Sequence, residues 1–215
     1  MVSMVPGKRT GENTAELIDD FAHRTGGRPP ALITSDEYAP YATVVAKQYS
    51  EVVTPPRTGK RGRPRVPYAV PAPDLVYATV HKQREKGRVV EVTQKLVYGT
   101  QEQLDAALSS STVSSTVNTS FVERYNGTDR CFNSRKVRDT YAFSKELELH
   151  EAASWIGVTW YNFCRPHRGL ALKRNDGPVQ QRTPAMAAGL TSKPLSLTDI
   201  MHTQLFGDSH AARGN

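Results

Sequence analysis

Four residues in the stretch Asn118-Thr-Ser-Phe-Val-Glu-Arg-Tyr-Asn-Gly-Thr-Asp-Arg130 could do chemistry together. Read as a helix beginning at Thr119 or Ser120, it places Glu123, Asn126, Gly127 and Arg130 at i, i+3, i+4 and i+7, one wet stripe, with Phe121, Val122 and Tyr125 on a core side. A carboxylate can hold a divalent cation, a guanidinium can grip a phosphate, and a glycine lets a backbone approach. Gly127 costs about 1 kcal/mol relative to alanine inside a helix, so its presence asks for a reason. The plainer reading is a capping box from Ser120 to Glu123 with Arg130 merely solvated. A second carboxylate, Asp36, follows the short apolar run Ala31-Leu32-Ile33 and Thr34-Ser35. It is either the N-cap of the next helix or a group at the carboxyl end of a strand, where α/β folds place ligands.

The elements that must position these groups are legible in order. Asn13 or Thr14 caps a helix that buries Thr14, Ile18, Phe21 and Ala22 and stops at Gly26-Gly27. The strand of Ala31 to Ile33 comes next, then a helix through Val44, Val45 and Tyr49. Helix, strand and helix in succession imply a parallel sheet. Leu75 to Lys82 and Val89 to Tyr98, rich in Val, Thr and Tyr, flank Glu85-Lys86-Gly87 and predict a β-hairpin. Thr100 to Gln103 caps a short helix, and the serine-rich run from Ser109 to Ser115 connects it to the stripe-bearing helix. A further helix from Ser144 has Leu149, Ala152, Ala153, Ile156, Trp160 and Phe163 on a predicted core face, which leaves Trp155 and Trp160 no binding role, and Arg165-Pro166 ends it. Thr183-Pro184 starts a short helix that Gly189 stops, Ser196 to Phe206 suggests another, and disorder is expected from Gly207 to Asn215.

Composition narrows the function classes. The 215 residues suffice for a domain with a real core, and 38% hydrophobic content is low but globular. Lys and Arg outnumber Asp and Glu by 28 to 21, a net charge of +7 that favours a polyanionic partner. With no long apolar run and no signal peptide, the cytoplasm is the expected compartment and no membrane partner is expected. Cys131 and Cys164 lack zinc spacing and read as ordinary thiols.

Positive charge concentrates between Val52 and Pro73, where six prolines and Arg57, Lys60, Arg61, Arg63 and Arg65 occur without an acid. That proline density predicts an extended loop. Within it Lys60-Arg-Gly-Arg-Pro-Arg65 has the look of an AT-hook, whose arginines flank an extended backbone that slides into a narrow minor groove; a solvated loop touching only phosphates is the alternative. Lys60, Arg61, Arg63 and Arg65 are the candidate DNA-binding residues.

Four segments also resemble a family. Thr34-Ser-Asp-Glu-Tyr38, Asn118 to Arg130, Thr140-Tyr-Ala-Phe-Ser-Lys145, and Tyr161-Asn-Phe-Cys-Arg-Pro-His167 with Leu170 resemble, in the right order, the later part of bacterial insertion-sequence transposases with an RNase-H-like DDE (integrase-type) catalytic core. The resemblance implies an α/β core incomplete at its N-terminus, spanning 1–170, with 52–110 as an inserted basic loop, β-hairpin and short helix, and a helical C-terminal extension over 171–215. It implies that Asp36 and Glu123 are the second and third carboxylates of a Mg²⁺ (or Mn²⁺) site and that Arg130 is the basic residue seven positions after the Glu. Paired metals of this kind activate the attacking hydroxyl and stabilise the leaving oxygen at phosphorus. The family's first Asp has no counterpart, because Asp19 and Asp20, the only earlier aspartates, fall inside the first helix. The expectation is therefore a transposase fragment that binds DNA and is impaired in strand cleavage and transfer, or a non-catalytic DNA-binding or regulatory remnant. DNA is the expected partner and self-association a further one; no small-molecule substrate is implied.

Overall fold

A computed structural model describes residues 2–56, 65–137, 139–172 and 177–202. They divide into two units, Val2–Thr128 and, apart from Met1, Asp129–Asn215.

In the first unit everything packs around Leu75 to Val80, six consecutive buried residues. Pleating sends alternate side chains to opposite faces, so each face feeds a separate core. Leu75 and Tyr77 join Ala22, Val45 and Tyr49 on one side, while Val76, Ala78 and Val80 join Leu104 and Val117 on the other. The first cluster belongs to α1 (Gly11–Arg24) and α2 (Ala39–Gln48), the second to α3 (Gln101–Ser110) and the segment leading to α4 (Ser120–Phe132). A sheet covered on both faces is an α/β arrangement.

The sheet has the order β1 (Ile33–Asp36), β4 (Tyr77–Glu85), β5 (Arg88–Tyr98). β1 runs parallel to β4, from Ile33 opposite Tyr77 to Asp36 opposite Val80, and β5 is antiparallel to β4. The hairpin expected between the sheet and the fourth helix thus supplies the middle strand of the sheet itself. Between α2 and β4, β2 (Ser50–Val53) and β3 (Tyr68–Pro71) pair antiparallel within the stretch expected to be an extended loop. Two short strands survive there because a two-stranded ribbon has open edges, and Pro71 closes its end. Residues 57–64, with Arg57, Lys60, Arg61 and Arg63, lie outside the described residues.

Local signals explain the helices. Thr10 caps α1 by accepting the Asn13 amide at 3.2 Å, and Gly27, at φ +75°, returns its N–H to Ala22 O at 2.8 Å. Thr100 and Gln103 form a reciprocal capping box at α3.

In the second unit, α5 (Leu147–Thr159) passes into a single π-helical turn, Trp160–Cys164. Its predicted core face is not the buried one: Leu149 and Ile156 are 57% and 60% exposed, whereas Ser154 and Val158 are buried with His150 half-buried a turn before them. Ser154 satisfies its own hydroxyl on His150 O at 2.7 Å, so burying this small polar residue leaves no unpaired group. Ser144 lies before the helix and its hydroxyl meets His150 Nδ1 at 2.9 Å. A hairpin of β6 (His167–Leu172) and β7 (Gln180–Arg182), not foreseen from sequence, precedes α6 (Pro184–Ala187), which Thr183 caps. The last described helix is α7 (Leu197–His202); residues 203–215, including the tail expected to be disordered, lie outside the described set. Among the described residues no helix is long and apolar enough to cross a membrane, and none of the sheets closes into a barrel.

Leu75→Ala is expected to cost about 2–5 kcal/mol, because a 1% exposed side chain leaves a cavity beneath two helices. Urea denaturation measures this as a lower midpoint at unchanged slope.

Candidate active-site cleft

Asp36 and Glu123, 87 positions apart in sequence, open onto the same cleft of about 490 Å³. One wall comes from α1 and the segment before it (Lys8, Arg9, Asn13), the floor from β1, and the other wall from α4 through Thr119, Val122, Glu123 and Asn126. The whole lining belongs to the first unit. Asp36 is the final residue of β1, so the cleft sits at the carboxyl end of a parallel strand pair.

Thr34 fixes the floor to the wall. Its hydroxyl donates to Asn118 O at 3.1 Å, and the Asn118 side chain accepts the Ser120 amide at 3.1 Å and the Ser120 hydroxyl at 2.5 Å. The start of α4 is therefore tied, through Asn118, to the strand that carries Asp36. Because Asn118 satisfies the Ser120 amide, the capping box from Ser120 to Glu123 is not what forms. Glu123 is released to face the cleft, where it accepts from Thr119 Oγ1 at 2.8 Å and from Lys82 Nζ at 2.5 Å.

Each carboxylate has its own cation. Arg9 Nη2 lies 2.6 and 2.7 Å from the two oxygens of Asp36. Its guanidinium stacks on Tyr38, 4.1 Å from the ring centroid, while the Tyr38 hydroxyl donates to Arg9 O at 2.9 Å. The bond to Asp36 pushes the Arg9 pKa above its already high value. On the other side, the bonds from Lys82 and then Thr119 hold the Glu123 carboxyl below the usual range. A third pair, His81 Nδ1 with Glu37 Oε2 at 2.5 Å, lies beside Lys82 and Asp36 in sequence. All three pairs are at least partly solvated, so they order side chains more than they stabilise the fold.

The stripe foreseen on α4 is thus only partly assembled. Glu123 and Asn126 reach the cleft, and Tyr125 is buried, but Phe121 and Val122 are 55% and 50% exposed instead of in the core. A side chain at Gly127 would meet open space within this chain. Arg130 is exposed on the last turn of α4, in the second unit. Asp36 is not the N-cap of α2, since Tyr38 holds that position. Asp19 and Asp20 lie within α1, where Asp20 pairs with Ser3 and Arg24. Of the basic-loop candidates, only Arg65 is described, and it is exposed.

Sequence reasoning missed Arg9 and Lys82. Lys82 carried a usable signal: it follows Val80 by two in a strand, on the face that Val76, Ala78 and Val80 share. Arg9, in a glycine-flanked turn, carried none.

Carboxylate oxygens suit Mg²⁺ chemically, but two carboxylates already bonded to cations are an incomplete donor set. Among the described residues no group of three His, Cys, Asp or Glu side chains is placed to hold a metal. Comparison with protein-family models, with curated proteins and with solved structures returns no match.

A carboxyl held below its ordinary value of 4.5 adds stability above that pH and loses it as the pH falls through the lowered value. Glu123→Gln is therefore expected to flatten the decline of melting temperature between about pH 5 and pH 3 relative to the parent. Lys82→Met, which removes the largest cause of the lowered carboxyl, should flatten the decline as well, and thermal melts across that range measure both.

Proposed function

We propose that this chain derives from a DDE transposase with an RNase-H-like core, that it binds DNA, and that its cleft retains two of the three carboxylates such an enzyme uses. The observation that carries the reading is that Asp36 and Glu123, singled out from separate segments, line one cleft at the carboxyl end of β1. The four ordered sequence matches and the net charge of +7 support it. In the intact enzyme Mg²⁺ would supply activation of the attacking hydroxyl and stabilisation of the leaving oxygen. What this chain's own residues do is hold two carboxylates apart in charge-neutral pairs, with Thr119 and Lys82 orienting Glu123 and Arg9 orienting Asp36. Because the donor set is incomplete, we assign no catalytic step to it.

A second reading, a non-catalytic DNA-binding or regulatory protein, is favoured by the same ion pairs. Arg9 on both oxygens of Asp36 and Lys82 on Glu123 leave neither carboxylate without a counter-charge. On that reading DNA binding persists in chelator, tightens on A·T-rich duplex, falls as salt rises, and weakens in Arg63→Ala.

The deciding measurement is Mg²⁺-dependent nicking of labelled duplex by the purified chain. Little or no cleavage is expected from the chain alone. Any cleavage observed should vanish in Asp36→Asn and in Glu123→Gln, and cleavage that persists in both variants overturns the site.

A further inference from the structure

The register of the main sheet leaves part of its hairpin without support. β1 stops at Asp36, opposite Val80, but β4 and β5 continue for five further pairs, from His81 with Thr93 to Glu85 with Arg88. At about 3.3 Å per residue the two strands run about 16 Å past the end of β1, held at the base by His81 with Glu37 and Lys82 with Glu123 and exposed beyond. From Gln83 to Lys95 every residue is exposed. A two-stranded ribbon with both faces in water is marginal by itself, so its composition asks for a purpose.

That composition is cationic. Arg84, Lys86 and Arg88 alternate along the ribbon and its turn, against Glu85 and Glu91, while Lys82 at its base is engaged by Glu123. Lys86 is the more telling residue. The turn places Lys86 at φ +47° and Gly87 at φ +79°, values of a type I′ turn, whose first position favours Asn, Asp or Gly. A lysine there accepts backbone strain at an exposed apex. Behind the apex, Val90 is an extra residue in β5, since Gln83 pairs with Glu91 and Arg84 with Val89, and such a bulge increases twist and bends the strand. Val89, Val90 and Val92 are 44%, 52% and 53% exposed between the cations.

We infer that the ribbon formed by residues 81–93 docks into the major groove of duplex DNA, separately from the basic loop over Lys60 to Arg65. The inference rests on the DNA-binding reading above and names a surface that the reading did not use. A B-form major groove, about 12 Å wide, admits a two-stranded ribbon, whereas the deep, narrow groove of A-form RNA does not. Arg84, Lys86 and Arg88 supply charge for the flanking phosphates, and the exposed valines present methyl groups of the kind that contact thymine.

The test measures equilibrium binding of the full chain to a labelled DNA duplex across a salt series in EDTA, so that no cleft chemistry contributes. Combined Arg84→Ala and Arg88→Ala substitution is expected to weaken binding by about tenfold or more and to flatten the logarithmic salt dependence by about 2. Lys86→Asn separates binding from folding: it creates the favoured Asn-Gly turn and should raise the melting temperature while weakening DNA binding. Wild-type binding that all the variants retain, with the same salt slope, overturns the ribbon and leaves the transposase-derived reading standing. Absence of DNA binding by the wild type overturns both. Equal binding of an RNA duplex, with the same sensitivity to these substitutions, overturns the major-groove geometry.

Discussion

One parallel strand pair carries the first unit. Ile33 to Asp36 align with Tyr77 to Val80, and this ladder is what brings a segment from before the basic loop against one from after it. Because β4 is buried on both faces, the pair also fixes which helices share a core: Tyr77 faces α1 and α2, and Val76, Ala78 and Val80 face α3 and Val117. Gln94 then donates from β5 to Val117 O at 3.0 Å and Thr34 donates from β1 to Asn118 O, so the approach to α4 is tied to both outer strands. The position of Glu123 follows from those two bonds. Each carboxylate is held by a cation, Glu123 by Lys82 of β4 and Asp36 by Arg9 from the turn before α1.

The charge logic of the cleft follows from the same geometry. Two carboxylates facing one solvent-filled cavity would repel; Arg9 and Lys82, approaching from opposite sides, remove that repulsion. Any divalent cation at either oxygen set therefore competes with an internal ammonium or guanidinium. That competition separates an arrangement able to bind a cation from one poised for phosphoryl transfer, where the metal is the dominant local charge.

Sequence pattern resolved the local parts of this fold and stopped where contacts become long-range. The cap at Thr100, the stop at Gly26-Gly27 and the hairpin around Lys86-Gly87 are written within a few residues, and each formed. The hairpin's place in the sheet was not legible, because the pairing of Ile33 with Tyr77 joins residues 44 positions apart and no period records it. On α5, ranking by hydrophobicity chose Leu149 and Ile156, yet the protein buries Ser154, whose hydroxyl is satisfied within its own helix. Phe121 and Val122 failed for a related reason: the pattern marks an apolar face but does not say whether anything covers it. Within the cleft, Asp36 and Glu123 each read locally as a helix cap as readily as a site group, and only the family resemblance paired them, whereas Arg9 was hidden in a turn whose composition suggested only a connector.

The exposed ribbon also bears on how this chain avoids its own kind. Exposed valines on two unsupported strands offer open backbone edges to any neighbouring strand, during synthesis as well as after it. Alternating lysine and arginine place like charges opposite one another when two such ribbons meet, and the bulge at Val90 breaks the flat edge that stacking requires. The residues that make the ribbon cationic therefore also act as gatekeepers against β-aggregation, so neutralising them carries a solubility cost.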